Sequence, residues 1–465
     1  MGSSAKPLSK LLLISLSLLA ACSSAPQAAR VASGNGVNNG SAGNPVGEPE
    51  GVEGMPEGAE EETTALGSLW PVQIGGREGD EGSDVAVDVE GNVFVVGWTT
   101  GELDADGLIV KFDPKGKELW RRQFDVAGAD YPDAALVDEQ GNLYVAGQTI
   151  NEPIGNLFLQ KYSRDGVPLW SRLLPGGGEG GFGGMTRANG SIFIVGRNAE
   201  DIAVRRVRQT DGFFDPASDL FEFAGSSESD AVSAITADRN GDLYIAGFTN
   251  GAFPWYAGGF YQGVGLANFD GEFDGFVMKL DVDFNILETM VLPARRETII
   301  QGAAVNAAGE IFVTGYTASP DLSNYSNAGL ADGEERFLAK FVPPGPNTFF
   351  YSRQWVRQSG ASAHDFGFHV AIGPDGSVWV TGTENGGSNS DIVVSKHEAA
   401  GGSTLFSRSI GSGRHELPNG AALSPAGEIF VTGTTAGILG DIDRDPAATD
   451  RDLVVIGLDS NGDLL

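Results

Sequence analysis

The sequence predicts an all-β protein, a seven-bladed β-propeller of four-stranded antiparallel blades. Three observations carry that prediction. A seven-letter motif, GNVFVVG at 91–97, returns at 141 (GNLYVAG), 190 (GSIFIVG), 241 (GDLYIAG), 309 (GEIFVTG), 376 (GSVWVTG) and 427 (GEIFVTG). The start-to-start spacings of 50, 49, 51, 68, 67 and 51 residues have the period of a repeat architecture. The repetitive region also begins and ends in incomplete repeats that complement each other.

The motif itself reads as a strand. Its central letters are apolar or small without alternation, as in Val93, Phe94, Val95 and Val96, which calls for cover on both faces. Upstream lies a strand of small residues (DVAVD at 84–88, GAAVN at 302–306, GAALS at 420–424). Downstream lies a third strand (GLIVKFD at 107–113, GFVMKLD at 275–281, DLVVIGLD at 452–459). A fourth is bulkier and more polar (LWRRQF at 119–124, LWSRLL at 169–174, LFSRSI at 405–410). Small side chains first and large ones last describe a wedge, narrow at an axis and wide at a rim.

The ends fit a closed ring. LWPVQI at 69–74 is a fourth strand with no blade of its own, and the chain stops after a third strand and the fragment GDLL at 462–465. The N-terminal strand is therefore expected to complete the last blade, leaving no long open sheet edge.

On these residues the chain resembles the bacterial SBBP β-propeller repeat, found in secreted and cell-surface proteins. The likeness runs over 69–465, with repeat three (GGMTR at 183–187, DIAVRR at 201–206) departing most. It implies the fold and no catalytic residues, since that family has none in common. A weaker likeness to quinoprotein-type repeats, carried by DPKGKELW at 113–120, would ask for eight blades and is set aside.

Residues 1–21 read as a signal peptide. Lys6 and Lys10 precede an apolar run at 11–21, too short for the roughly 20 residues that span a bilayer. The run ends at Cys22, the only cysteine, in LAAC, which resembles a bacterial lipobox. The resemblance implies an acylated Cys22 and a lipid-anchored protein of the bacterial cell envelope. Ser23 after the cysteine points to the outer membrane or the cell surface. Two or more acyl chains, at about 0.8 kcal/mol per buried methylene, make a stable anchor. Residues 22–66 then form a Gly-, Asn-, Pro- and Glu-rich tether with a mean reach of roughly 35–40 Å. The propeller occupies 67–465. With its one cysteine given to lipid, the folded part is left without disulfide or thiol chemistry. A net charge of −32 argues against nucleic acid as a partner.

Functional residues are sought where length varies. The turns after the first and third strands are short, uniform and rich in Asp and Gly, which reads as hairpin punctuation. On the opposite face the second turn spans 98–107 in blade one, 248–275 in blade four and 316–336 in blade five. The blade-four insert carries Phe253, Trp255, Tyr256, Phe260 and Tyr261, a candidate platform for a glycan or protein ligand. It could equally be a small core that pins the loop down. In the last loop Asp441, Asp443, Asp445 and Asp452 stand at positions 1, 3, 5 and 12, the spacing of a Ca²⁺ loop, although Pro446 replaces the turn glycine. Three of the four histidines group near the axis: His364 with Asp365, His415 with Glu416, and His369 at the start of an inner strand. The expectation is a non-enzymatic, membrane-anchored binding or scaffold module working through the variable loops. A metal-dependent lyase or hydrolase using the His/acid group, and a purely structural part of a surface assembly, are the alternatives.

Overall fold

A computed structural model describes residues 69–465 except 76–78, 101–104, 152–153, 175–180, 199–200, 224–229, 250–272, 293, 295, 320–321, 323–332, 347–349, 361–363, 385–388 and 440–450. Seven four-stranded antiparallel sheets follow one another along the chain. Blades one to six span 80–124, 129–174, 182–223, 230–292, 298–359 and 366–410. Blade seven is built from Glu416–Leu423, Ile429–Thr435, Asp452–Leu458 and the N-terminal Val72–Ile74. The first strands of successive blades touch one another all the way round, the seventh meeting the first, so they line the axis and the ring is closed.

Every repeated motif is the second strand of a blade, and its burial is as its composition requires: Val93, Phe94, Val95 and Val96 are completely buried. Its two glycines serve different ends. The first holds φ between +76 and +91° in all seven copies, closing the turn from the first strand. The last answers a feature the letters conceal. Each first strand carries a bulge, which leaves Ser83, Asp133, Gly183, Ser233, Gln301, Phe368 and Asn419 as the extra residue. The bulge presses the preceding carbonyl onto the motif's final glycine. A Cβ on Gly315 would lie 1.8 Å from the Ile299 carbonyl oxygen, and one on Gly97 would lie 1.9 Å from that of Glu81.

Blades are fastened to each other by a repeated clasp. In blade one, Lys111 of the third strand lies over the Phe94 ring at 4.5 Å, pairs with Asp88 at 3.7 Å and donates to the Arg164 carbonyl of blade two at 3.1 Å. Trp120 of the fourth strand donates its indole N–H to the same carbonyl at 3.3 Å and covers Gly166, whose φ is +77°. Lys340 and Trp355 of blade five repeat this against Ala399 and Ala400 of blade six, and Lys396 reaches Ser460 of blade seven. Meanwhile the turn aspartates are occupied by their own backbone: Asp88 Oδ1 accepts from the amides of Glu90 and Asn92, both at 2.9 Å. Asp113, Asp238, Asp281 and Asp459 do the same.

The N-terminal strand closes the ring with the pairs Val72↔Val455, Gln73↔Val454 and Ile74↔Leu453. It is shorter than the six residues expected, because Pro71 has no amide to donate and Trp70 turns inward. Trp70 is 5% exposed, packs edge-on against Phe112 and tilts over Phe430, and donates to the Pro114 carbonyl at 3.1 Å. It makes the blade-seven-to-one contact that Trp120 makes between blades one and two. Blade three, the most divergent repeat, keeps four strands but ends in a fourth of only four residues, Leu220–Phe223.

Candidate functional site

The bulges gather polar side chains around part of the axis. Asp84 follows the bulge of blade one; its carboxylate accepts from the Val85 amide and from the Ala135 amide of blade two, both at 2.8 Å. Asp133 is the bulged residue of blade two and accepts from Gln148 at 3.3 Å. Asn419, bulged in blade seven, donates to the Glu81 carboxylate at 3.0 Å and to the Gly82 carbonyl at 2.9 Å. His369 bonds to the Asn419 backbone and lies 3.3 Å from the Thr381 hydroxyl. A belt of hydrogen bonds thus runs from blade six through seven and one to two.

These side chains are half-buried along the axis, and their desolvation governs the protonation of this belt. It pushes Asp84 up to about 7 against the pull of its two amide donors. It pushes Asp133 up to about 7 as well, with the charges of Glu81 and Asp84 adding to the effect. The same burial holds His369 down at about 4. Near neutral pH the two carboxyls are therefore partly protonated and the imidazole is uncharged. Sequence reasoning missed both aspartates. The signal was an acid inside an otherwise small, apolar inner strand.

The nominated histidines take separate partners. His364 is exposed, stacks on Phe366 at 6.4 Å and contacts the Glu334 carboxylate. His415 lies 2.7 Å from the Ser390 hydroxyl. Asp365 and Glu416 are buried acids at the entry of their inner strands, as Asp80, Asp130 and Asp230 are on blades one, two and four. Two of these brace the connection before them: Asp130 accepts from the Val126 amide at 2.5 Å and Glu416 from the Ser412 amide at 3.0 Å. Among the described residues no three His, Cys, Asp or Glu side chains converge to hold a metal ion.

Asp441, Asp443 and Asp445 lie outside the described residues. Asp452, the fourth candidate for Ca²⁺, is 2% exposed and accepts from Gln73 of the closing strand at 2.5 Å. Phe253, Trp255, Tyr256, Phe260 and Tyr261 also lie outside them. At the base of their loop, Phe248 and Phe273 meet edge-to-face at 5.2 Å. The neighbouring loop side carries a second aromatic group, in which Tyr316 of blade five meets Phe366 of blade six at 4.8 Å and Phe366 meets Phe368 at 6.2 Å.

Residues 69–104, the closing strand together with the first two strands of blade one, match the family model described as Beta-propeller repeat, SBBP. That stretch is similar to one SBBP repeat. Six further copies of the same strand-turn-strand unit follow it in the fold, each with the repeated motif as its second strand. No curated protein matches the sequence. Similar solved structures include an ulvan lyase, a polysaccharide lyase, at 12% identity and a TM-score of 0.49, covering 84% of this chain and 97% of that one. Kuenenia stuttgartiensis hydrazine synthase follows at 10% and 0.48, with 82% and 96% covered. A luciferin-regenerating enzyme stands at 13% and 0.38, with 83% and 94% covered. Likenesses this distant transfer no residue and no activity to this chain.

Proposed function

We propose that this protein is a lipid-anchored binding or scaffold module of the bacterial cell envelope, which takes a protein or glycan ligand on its variable loop face beside blades four to six. One observation supports this reading above others: the long turns all lie on one side of the ring, and aromatic rings stand at their bases. The long second turns of blades four and five leave strands that carry Phe248, Phe273 and Tyr316, and Phe366 and Phe368 stand beside them on blade six. On the opposite face the turns are short and their aspartates and lysines are engaged in the clasp.

Flat rings suit both classes of ligand, since they bury much area with few rotatable bonds and dominate binding energy at interfaces. Cys22 supplies the anchor and 22–66 the stand-off from the bilayer. The test is a glycan and protein array probed with residues 67–465, followed by the Trp255→Ala, Tyr256→Ala double variant on any ligand found. A tenfold or greater loss of binding at unchanged melting temperature supports the platform. Unchanged binding with a lowered melting temperature assigns the rings to loop packing instead. The anchor is checked separately: mass spectrometry of the mature N-terminus should find acylated Cys22, and Cys22→Ser should release the protein from membranes.

A further inference from the structure

A cavity of about 180 Å³ opens between the outer strands of blade five and the third turn of blade six. That is many times the space a single water needs. Its charged lining groups are Arg336 and Arg357, and beside them stand His397 and the hydroxyls of Ser359, Ser403 and Thr404. None of its lining residues is acidic, in a chain of net charge −32.

Arg336 is the unusual member. It sits on the third strand of blade five (Glu335–Val342) at 5% exposure. A guanidinium has five N–H donors, and a buried one requires acceptors. Arg336 donates to the Thr383 carbonyl at 3.4 Å, and the carboxylates of Glu384, at 3.8 Å, and of Asp365 counter its charge. Arg357 is exposed and is steadied by the Gly401 carbonyl at 2.6 Å and by the Trp355 ring at 5.8 Å. His397 is held by the hydroxyls of Ser395 at 2.9 Å and Thr404 at 3.3 Å. Burial, with the Arg336 charge adding, keeps its imidazole at about 4 and so uncharged near neutrality. The positive charge of the cavity thus comes from two guanidiniums at different depths.

We propose that this cavity binds a small oxyanion, such as phosphate, sulfate or a carboxylate, with the buried Arg336 and the exposed Arg357 supplying its charge-assisted hydrogen bonds. The hydroxyls of Ser359, Ser403 and Thr404 offer further donors. The acidic field of the whole protein opposes anions at long range, so recognition depends on these local groups. Arg336 pairs with Tyr316 across strands two and three of blade five, at the foot of the 316–336 loop, but the loop proposal is read at Trp255 and Tyr256 and this one at Arg357, so either can fail without the other.

The experiment is calorimetric titration of residues 67–465 with sodium phosphate, sulfate and acetate, against sodium chloride at matched ionic strength. The His397 imidazole resonances are followed in parallel by NMR. At least one oxyanion should bind where chloride does not, moving those resonances. Arg357→Gln should weaken binding about tenfold or more, as should Arg336→Gln if it folds, while Arg172→Gln on blade two leaves it unchanged. Because Arg336→Gln removes a buried group and can lower stability, the exposed Arg357→Gln decides if that protein misfolds. Responses no different from chloride in the wild type, or undiminished binding in Arg357→Gln, overturn the proposal.

Discussion

At the scale of single residues, the two glycines of each motif make different demands and should tolerate change differently. Gly190 has φ +76° with nothing within 4 Å of a built Cβ, so Gly190→Ala should cost only the left-handed penalty of about 1–2 kcal/mol. Gly315→Ala forces a methyl into the Ile299 carbonyl and should cost about 3 kcal/mol, near the top of the overpacking range. Denaturant unfolding of the two variants checks the order. Buried titrating groups add a pH signature. Asp84 and Asp133, raised to about 7 from 3.8, contribute stability that is full below about 3.8 and is lost as pH rises through 7. His369 and His397, lowered to about 4 from 6.5, contribute stability that is present above 6.5 and is lost as pH falls through 4. The two pairs oppose each other between about 4 and 6.5, and only the aspartates act above that. Melting temperature should therefore fall between about pH 6.5 and 7.5, and the Asp84→Asn, Asp133→Asn double variant should flatten the fall. A wild-type curve already flat in that window contradicts the raised pair of carboxyls.

At the scale of strands and turns, what was legible depended on whether the cause was local. The second strands were plain in the sequence because burial on both faces writes itself as continuous apolar letters. The Asp–Gly turns were plain because their hydrogen bonds span only two to four residues. The clasp was not, since Lys111 and Trp120 meet Arg164 across 53 and 44 residues and no single repeat contains both partners. The inner-strand bulges were hidden for another reason. Their extra residues are Ser, Asp, Gly, Ser, Gln, Phe and Asn, so no letter marks the position, and the belt of Asp84, Asp133 and Asn419 stayed hidden with them. Trp70 shows what the clasp adds to a strand of three residues. Trp70→Ala removes a buried indole and its bond to Pro114, and should cost about 3–5 kcal/mol by chemical unfolding. Leu69→Ala beside it, at 50% exposure, should cost under about 0.5 kcal/mol.

At the scale of the molecule, one face of the ring is spent on holding blades together and the other is left to vary. That division explains why the fold could be read from the sequence and the ligand could not. The ring needs the same residues in every repeat, whereas a binding surface needs them in one or two. Everything rests on a closed ring in which the first strand to be made completes the last blade. Hydrogen exchange in chains beginning at residue 67 and at residue 75 tests this most directly. The account predicts that the amides within 453–455 facing the closing strand are protected in the longer chain and exchange rapidly in the shorter one. The third strand of blade four, Asp274–Leu280, should keep its early protection in both. Equal protection of 453–455 in the two chains would contradict closure by the N-terminal strand.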